Sequence, residues 1–294
     1  MSDATSKAQP DQPVRPVQQP RRRFLRPGVL PTVFCAGCGG GTVLNCYTRA
    51  VEELGLDTTR LCSVTGIGCS SWVLSPYFKA DTLHTTHGRA IAFATGVKVA
   101  RPDLKVVVIA GDGDLSGIGG NHLVHAARRN IDLSVVMINN SIYGMTGGQV
   151  APSTPTGVRS TTSPYGNPEP PIRAAELVAA AGASYVARWT TFHIRQLLYS
   201  LEVLLQHHGF GFVEVVGPCT TSYGKAVGRR TAAEFMAHYR DHAVPVAEAG
   251  DYLREAPDER IVVGTLVHRQ DQPELTDQLE AMTRRAQERE GVAP

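Results

Sequence analysis

The chain has 294 residues, 42% of them hydrophobic, which is enough for a sizeable core and excludes a disordered chain. No apolar run approaches the roughly 18 residues of a membrane span, and the N-terminal arginines precede no apolar stretch, so neither a membrane span nor a secretory signal is expected and a cytoplasmic location is. The net charge of +2 conceals an uneven distribution: Lys7, Arg15, Arg21, Arg22, Arg23 and Arg26 against Asp3 and Asp11 make residues 1–30 about +4 and the remainder about −2.

Taken in order, residues 1–30 are rich in Pro, Gln and Arg, which build no packed core, and are expected to be a flexible tail. No basic face recurs later, so nucleic-acid binding is not expected. Residues 41–54 predict a helix, Leu61–Ile67 a strand, and Arg89–Ala100 a helix ended by Arg101-Pro102. Lys105–Ala110 predicts a buried strand, 117–129 a helix, and Leu133–Ile138 another strand. Residues 143–171 carry Pro, Gly, Ser and Thr without periodicity, a length that is unusual inside a compact domain unless the loop is functional. A helix near 173–182, a strand at Ser184–Ala187, a helix at Thr191–His207 and a strand at Gly211–Val216 follow. From about 230 the chain is polar and helical, with a strand-like run at Arg260–Thr265. Strand, helix and strand in alternation predict an α/β fold with a parallel sheet, helices on both faces and ligands at the carboxyl ends of the strands.

The strand ending at Ala110 runs into Gly111-Asp112-Gly113-Asp114, and the next strand runs into Asn139-Asn140. Glycines at such a turn let backbone approach a phosphate, the following helix offers free N–H groups, and Asp112 supplies a hard oxygen. Magnesium is commonly held by one carboxylate together with substrate phosphates, and Asp112, the Asn140 amide oxygen and a nearby carbonyl would suit it. This pairing resembles the thiamine-diphosphate motif. The resemblance implies Asp112 and Asn140 as Mg²⁺ ligands, with Ile142 as the main-chain ligand.

Six cysteines are too sparse for a disulfide scaffold. Cys35 and Cys38 can reach one metal centre, and Cys69 and Cys219 each follow a predicted strand end. Zinc and iron–sulfur clusters both suit such thiolates, and spacing does not separate them. Cys46 and Cys62 read as core residues.

Cys35-Ala36-Gly37-Cys38-Gly39, Gly66-Ile67-Gly68-Cys69-Ser70-Ser71, His84-Thr85-Thr86-His87-Gly88-Arg89, Gly111-Asp112-Gly113-Asp114 and Tyr143-Gly144-Met145-Thr146-Gly147-Gly148-Gln149, in that order, resemble the beta subunit of 2-oxoacid:ferredoxin oxidoreductases, the 2-oxoglutarate type above all. The likeness covers about 31–225 and implies a thiamine-diphosphate-binding domain there, with 226–294 as a C-terminal helical extension. It implies oxidative decarboxylation of a 2-oxo acid to an acyl-CoA and CO₂, with an alpha subunit as partner and ferredoxin as electron acceptor. Further implications are one [4Fe–4S] cluster on Cys35, Cys38, Cys69 and Cys219, and cofactor contacts from Gly68, Cys69, Ser70, His87, Gly111, Gly113, Asp114 and Gly144. Ser71 is followed by Trp72, so no cation stands beside this motif to meet a second substrate carboxylate; Arg159, Lys79 and Lys225 are the candidates, or the alpha subunit supplies the charge. Pyruvate or another 2-oxo acid as substrate, or a non-redox thiamine-dependent decarboxylase with structural zinc, are the alternatives.

Overall fold

A computed structural model describes residues 20–250 and 260–290. Eight strands form one sheet in the order β2-β1-β3-β4-β6-β5-β8-β7. They are β1 (Leu61–Thr65), β2 (Asp81–His84), β3 (Lys105–Gly111), β4 (Ser134–Asn139), β5 (Tyr185–Thr190), β6 (Gly211–Val216), β7 (Ala243–Pro245) and β8 (Ile261–His268). The first six are mutually parallel, whereas β8 runs antiparallel to β5.

Strand side chains alternate between faces, and near-continuous apolar strands therefore build two cores. Val107 and Ile109 of β3 face one core, with Val136, Ile138, Val213 and Val215. The helices α1 (Gly39–Glu53) and α5 (Ile194–Gln206) cover it through Tyr47, Val51, Leu197 and Leu201. Val106, Val108 and Ala110 face the other core, under α2 (Ala90–Ala100), α3 (Gly120–Arg129) and α4 (Ala174–Ala181), which contribute Ile91, Leu123 and Val178. Fully burying an aliphatic side chain of this kind contributes roughly 1.5–3 kcal/mol, so apolar strands flanked by amphipathic helices settle into this three-layer arrangement.

Register sets the site. Gly111 pairs with Ile138 and Asn139 with Val216, so Asp112, Asn140 and Gly217 leave the sheet at one level. From β1 the chain moves out to β2, whereas from β3 it moves the other way to β4. Neighbouring strands whose connections diverge leave a crevice at their carboxyl ends.

Two regions differ from the sequence reading. Residues 1–19 of the expected tail lie outside the described residues, but 20–30 pack on the domain: Pro20–Phe24 form a 3₁₀ turn, Leu25 bridges to Phe78, and Arg26 donates to the Ala80 carbonyl at 2.8 Å. The stretch 226–294, expected to be a helical extension, contains α6 (Ala232–His242) and a last helix at Leu275–Glu290, yet it also adds β7 and β8 to the main sheet. The short apolar run with Val262, Val263 and Leu266 does not identify the partner strand; β5 had a free edge and took it. Strand β2 was not expected at all, since three of the four residues Asp81–His84 are polar and the strand lies at the sheet edge.

Candidate cofactor site and cysteine cluster

Gly68, Cys69, Ser70, His87, Gly111, Asp112, Gly113, Asp114, Asn140, Ile142 and Gly144 all line one cavity of about 230 Å³ at the β1/β3 crevice. Every residue expected to touch the cofactor or Mg²⁺ is thus brought together. Asp112 follows β3 and opens a π-helical turn over Gly113–Ile118, a widened turn of the kind often found at functional sites. Its carboxyl group is buried, and burial pushes its pKa up to about 6 against the lowering effect of a short hydrogen bond from Ser153 Oγ. A buried carboxylate with so little neutralisation, set among glycines, suits a divalent cation and phosphate.

Asp114 fastens the other wall. Its Oδ1 accepts the Gly88 N–H at 2.7 Å and the Ile67 N–H at 3.3 Å and lies 2.6 Å from His87 Nδ1, while Oδ2 is buried without a hydrogen bond. A side chain at Gly66 would overlap that carboxylate, and one at Gly113 would overlap the Tyr143 ring, whose hydroxyl donates to the Gly113 carbonyl at 3.1 Å. These two glycines are therefore demanded by close approach.

The 143–171 segment contains no helix or strand of its own but is held by internal hydrogen bonds. Tyr143 and Gln149 bridge, Gln149 Nε2 donates to the Thr146 carbonyl at 2.8 Å, and Asn167 Nδ2 donates to the Thr154 carbonyl at 2.8 Å. The loop thereby delivers Ser153 to Asp112, a contact that sequence reasoning missed because an aperiodic loop carries no register. Tyr143, Met145 and Thr146 of the same loop also line the cavity.

Cys35, Cys38, Cys69 and Cys219 line a second cavity of about 300 Å³. Cys38 caps α1, accepting the Gly40 N–H at 3.4 Å; burial and the proximity of the other three sulfurs nevertheless push its thiol up to about 11. Burial and then Cys219 raise Cys69. The Ser222 N–H donates to Cys219 Sγ at 3.4 Å, and a Cβ on Gly144 would stand 3.3 Å from Cys219 Sγ and 3.8 Å from Cys69 Sγ. Four thiols gathered at one cavity are a donor set that a cationic centre would stabilise. Cys46 is buried in the α1 core as expected, whereas Cys62 is half-buried. Lys79, Arg159 and Lys225 are exposed and line neither cavity.

Fold and site together define a thiamine-diphosphate-binding domain of the doubly wound α/β type. Residues 66–215 match the family model for the thiamine pyrophosphate enzyme C-terminal TPP-binding domain. The chain is 48% identical over 260 residues to 2-oxoglutarate synthase subunit KorB of Methanocaldococcus jannaschii, covering 88% of this chain and 96% of that one. It is 43% identical over 188 residues to 2-oxoacid:ferredoxin oxidoreductase 2 subunit beta of Aeropyrum pernix, covering 64% and 60%. A solved 2-oxoglutarate:ferredoxin oxidoreductase from Magnetococcus marinus, with 2-oxoglutarate, coenzyme A and succinyl-CoA bound, superposes with a TM-score of 0.81 at 34% identity over 93% of this chain and 91% of that one. The chain belongs to the beta-subunit family of the 2-oxoacid:ferredoxin oxidoreductases.

Proposed function

We propose that the chain, paired with an alpha subunit, carries out oxidative decarboxylation of 2-oxoglutarate to succinyl-CoA and CO₂, with electrons leaving through one [4Fe–4S] cluster to ferredoxin. The relatives named for 2-oxoglutarate support that substrate over pyruvate. In this reading Asp112, the Asn140 amide oxygen and the Ile142 carbonyl hold Mg²⁺, and Cys35, Cys38, Cys69 and Cys219 hold the cluster. Bound thiamine diphosphate would supply a carbanion-stabilising thiazolium, and the cluster a one-electron relay.

The observation that carries this reading is a shared wall. Cys69, Asn140, Gly144 and Met145 line both cavities, so the cofactor pocket and the sulfurs are separated by little more than one layer of residues. The chain's own task is to bind, orient and connect. Asp112 and Asn140 fix the diphosphate end, His87 borders it with its outward ring nitrogen, and the Gly144 backbone leaves the sulfurs uncovered on the cofactor side. Ile67, Trp72 and Met145, exposed apolar side chains lining the two cavities, support an alpha subunit closing over them.

The test is elemental analysis of anaerobically purified protein. About four iron and four sulfide per chain in a brown sample bleached by reductant is the expected result. About one zinc per chain in a colourless sample would instead make the cysteines structural and remove the redox role.

A further inference from the structure

We propose that Glu214, which does not line the cofactor cavity, is a positioning residue for the magnesium loop, acting through Asn139. This inference rests on the assignment of Asp112, Asn140 and Ile142 to Mg²⁺.

Ser141 lies between the two β4-end residues of that assignment and has φ +60, a left-handed conformation that a serine adopts only when its surroundings impose it. This turn joins Asn140 to Ile142, both of which line one cavity. It is held from both sides. Thr154 Oγ1 donates to the Ser141 carbonyl at 2.7 Å, while the Ser141 N–H donates to Asn139 Oδ1 at 3.1 Å.

What orients Asn139 is Glu214. Asn139 Nδ2 donates to Glu214 Oε1 at 2.8 Å, and Arg188 Nε donates to Glu214 Oε2 at 2.7 Å. An ionised carboxylate only accepts, so it dictates that the amide nitrogen of Asn139 faces it and that the amide oxygen faces Ser141. Glu214 is 2% exposed and sits in β6, opposite Met137 and Arg188 on the flanking strands. Apolar residues could fill such a sheet position at no loss of stability, so stability alone does not account for a buried ion pair here. Orienting a loop that must meet a cation does.

The test uses the complex with its alpha subunit and reads thiamine diphosphate retention by equilibrium dialysis at graded Mg²⁺. In Glu214→Gln the side chain can donate as well as accept and no longer dictates the Asn139 orientation, while Arg188 keeps Glu176 as partner. Its half-saturating Mg²⁺ should rise about tenfold, with binding recovered at saturating Mg²⁺, an outcome a merely structural defect would not give. Asn139→Ala should produce the same shift, and the double variant no more than either alone, because both cut one strap. Half-saturating Mg²⁺ within about twofold of the parent in Glu214→Gln, or shifts that add in the double variant, would overturn the proposal. If Glu214→Gln does not fold, Asn139→Ala decides it alone, an unchanged Mg²⁺ requirement counting against. Asp112→Ala separates the two levels. Loss of Mg²⁺-dependent binding there with no change in Glu214→Gln defeats only the positioning role; no change in either defeats the metal assignment itself.

Discussion

His87 Nδ1 faces two oxygens at once, Asp114 Oδ1 at 2.6 Å and the Ile67 carbonyl at 3.2 Å. Two acceptors require that Nδ1 carry the proton, which leaves Nε2 for the cavity. Asp114→Asn removes the charge that fixes this arrangement. Thiamine diphosphate should bind on the order of tenfold more weakly, the scale of one hydrogen bond to a charged group. Equilibrium dialysis measures it, and unchanged affinity would separate His87 orientation from cofactor binding.

Gly144 passes between the cysteine sulfurs and the cofactor cavity, where a Cβ would crowd Cys219 Sγ at 3.3 Å. On the cluster assignment proposed above, Gly144→Ala should lower cluster retention while leaving the fold intact. Loss of iron and of visible absorbance during air exposure should be several times faster than in the parent, since a displaced thiolate opens the cluster to solvent. Equal decay rates would show that the Gly144 approach is not needed.

Asp132 joins the buried Lys98 ammonium at 2.6 Å to the half-buried Lys105 ammonium at 3.1 Å, and these cations hold its carboxyl below the usual range despite burial. Asp132→Leu would strand both. About 3–5 kcal/mol of destabilisation is expected, the cost of breaking a buried pair from one side. Urea unfolding of the parent and variant checks this; a change below about 1 kcal/mol would mean that the Pro102, Leu104 and His207 carbonyls around the lysines suffice.

His207 is buried beside Ser184 Oγ, 2.6 Å from Nε2, and burial, then Lys105, lowers its pKa from 6.5 to about 4. The unfolded chain therefore binds a proton that the folded chain refuses. Stability from this residue is complete above pH about 6.5 and is lost as pH falls toward about 4. His207→Gln should flatten the decline of the urea midpoint across that window, whereas an unaltered pH profile would place the acid sensitivity elsewhere.

Much of this was legible in the order of residues. Strands β3, β4 and β6 and helices α1, α2 and α5 announce themselves because apolar periodicity reflects local backbone geometry and burial, which neighbours in sequence largely determine. Gly111–Asp114 with Asn139-Asn140, and the placement of Cys69 and Cys219 after strands, likewise point to the crevice, because parallel strands present their loops at one end. Tertiary structure alone decided that Cys69 and Gly144 border both cavities, that Ser153 reaches Asp112 across 41 residues, that β8 closes on β5, and that Glu214 grips Asn139 across 75. Those contacts depend on which loops fold back over which strand ends. An aperiodic loop or a short edge strand encodes that choice only through the complete set of long-range contacts, not through any window of its own sequence.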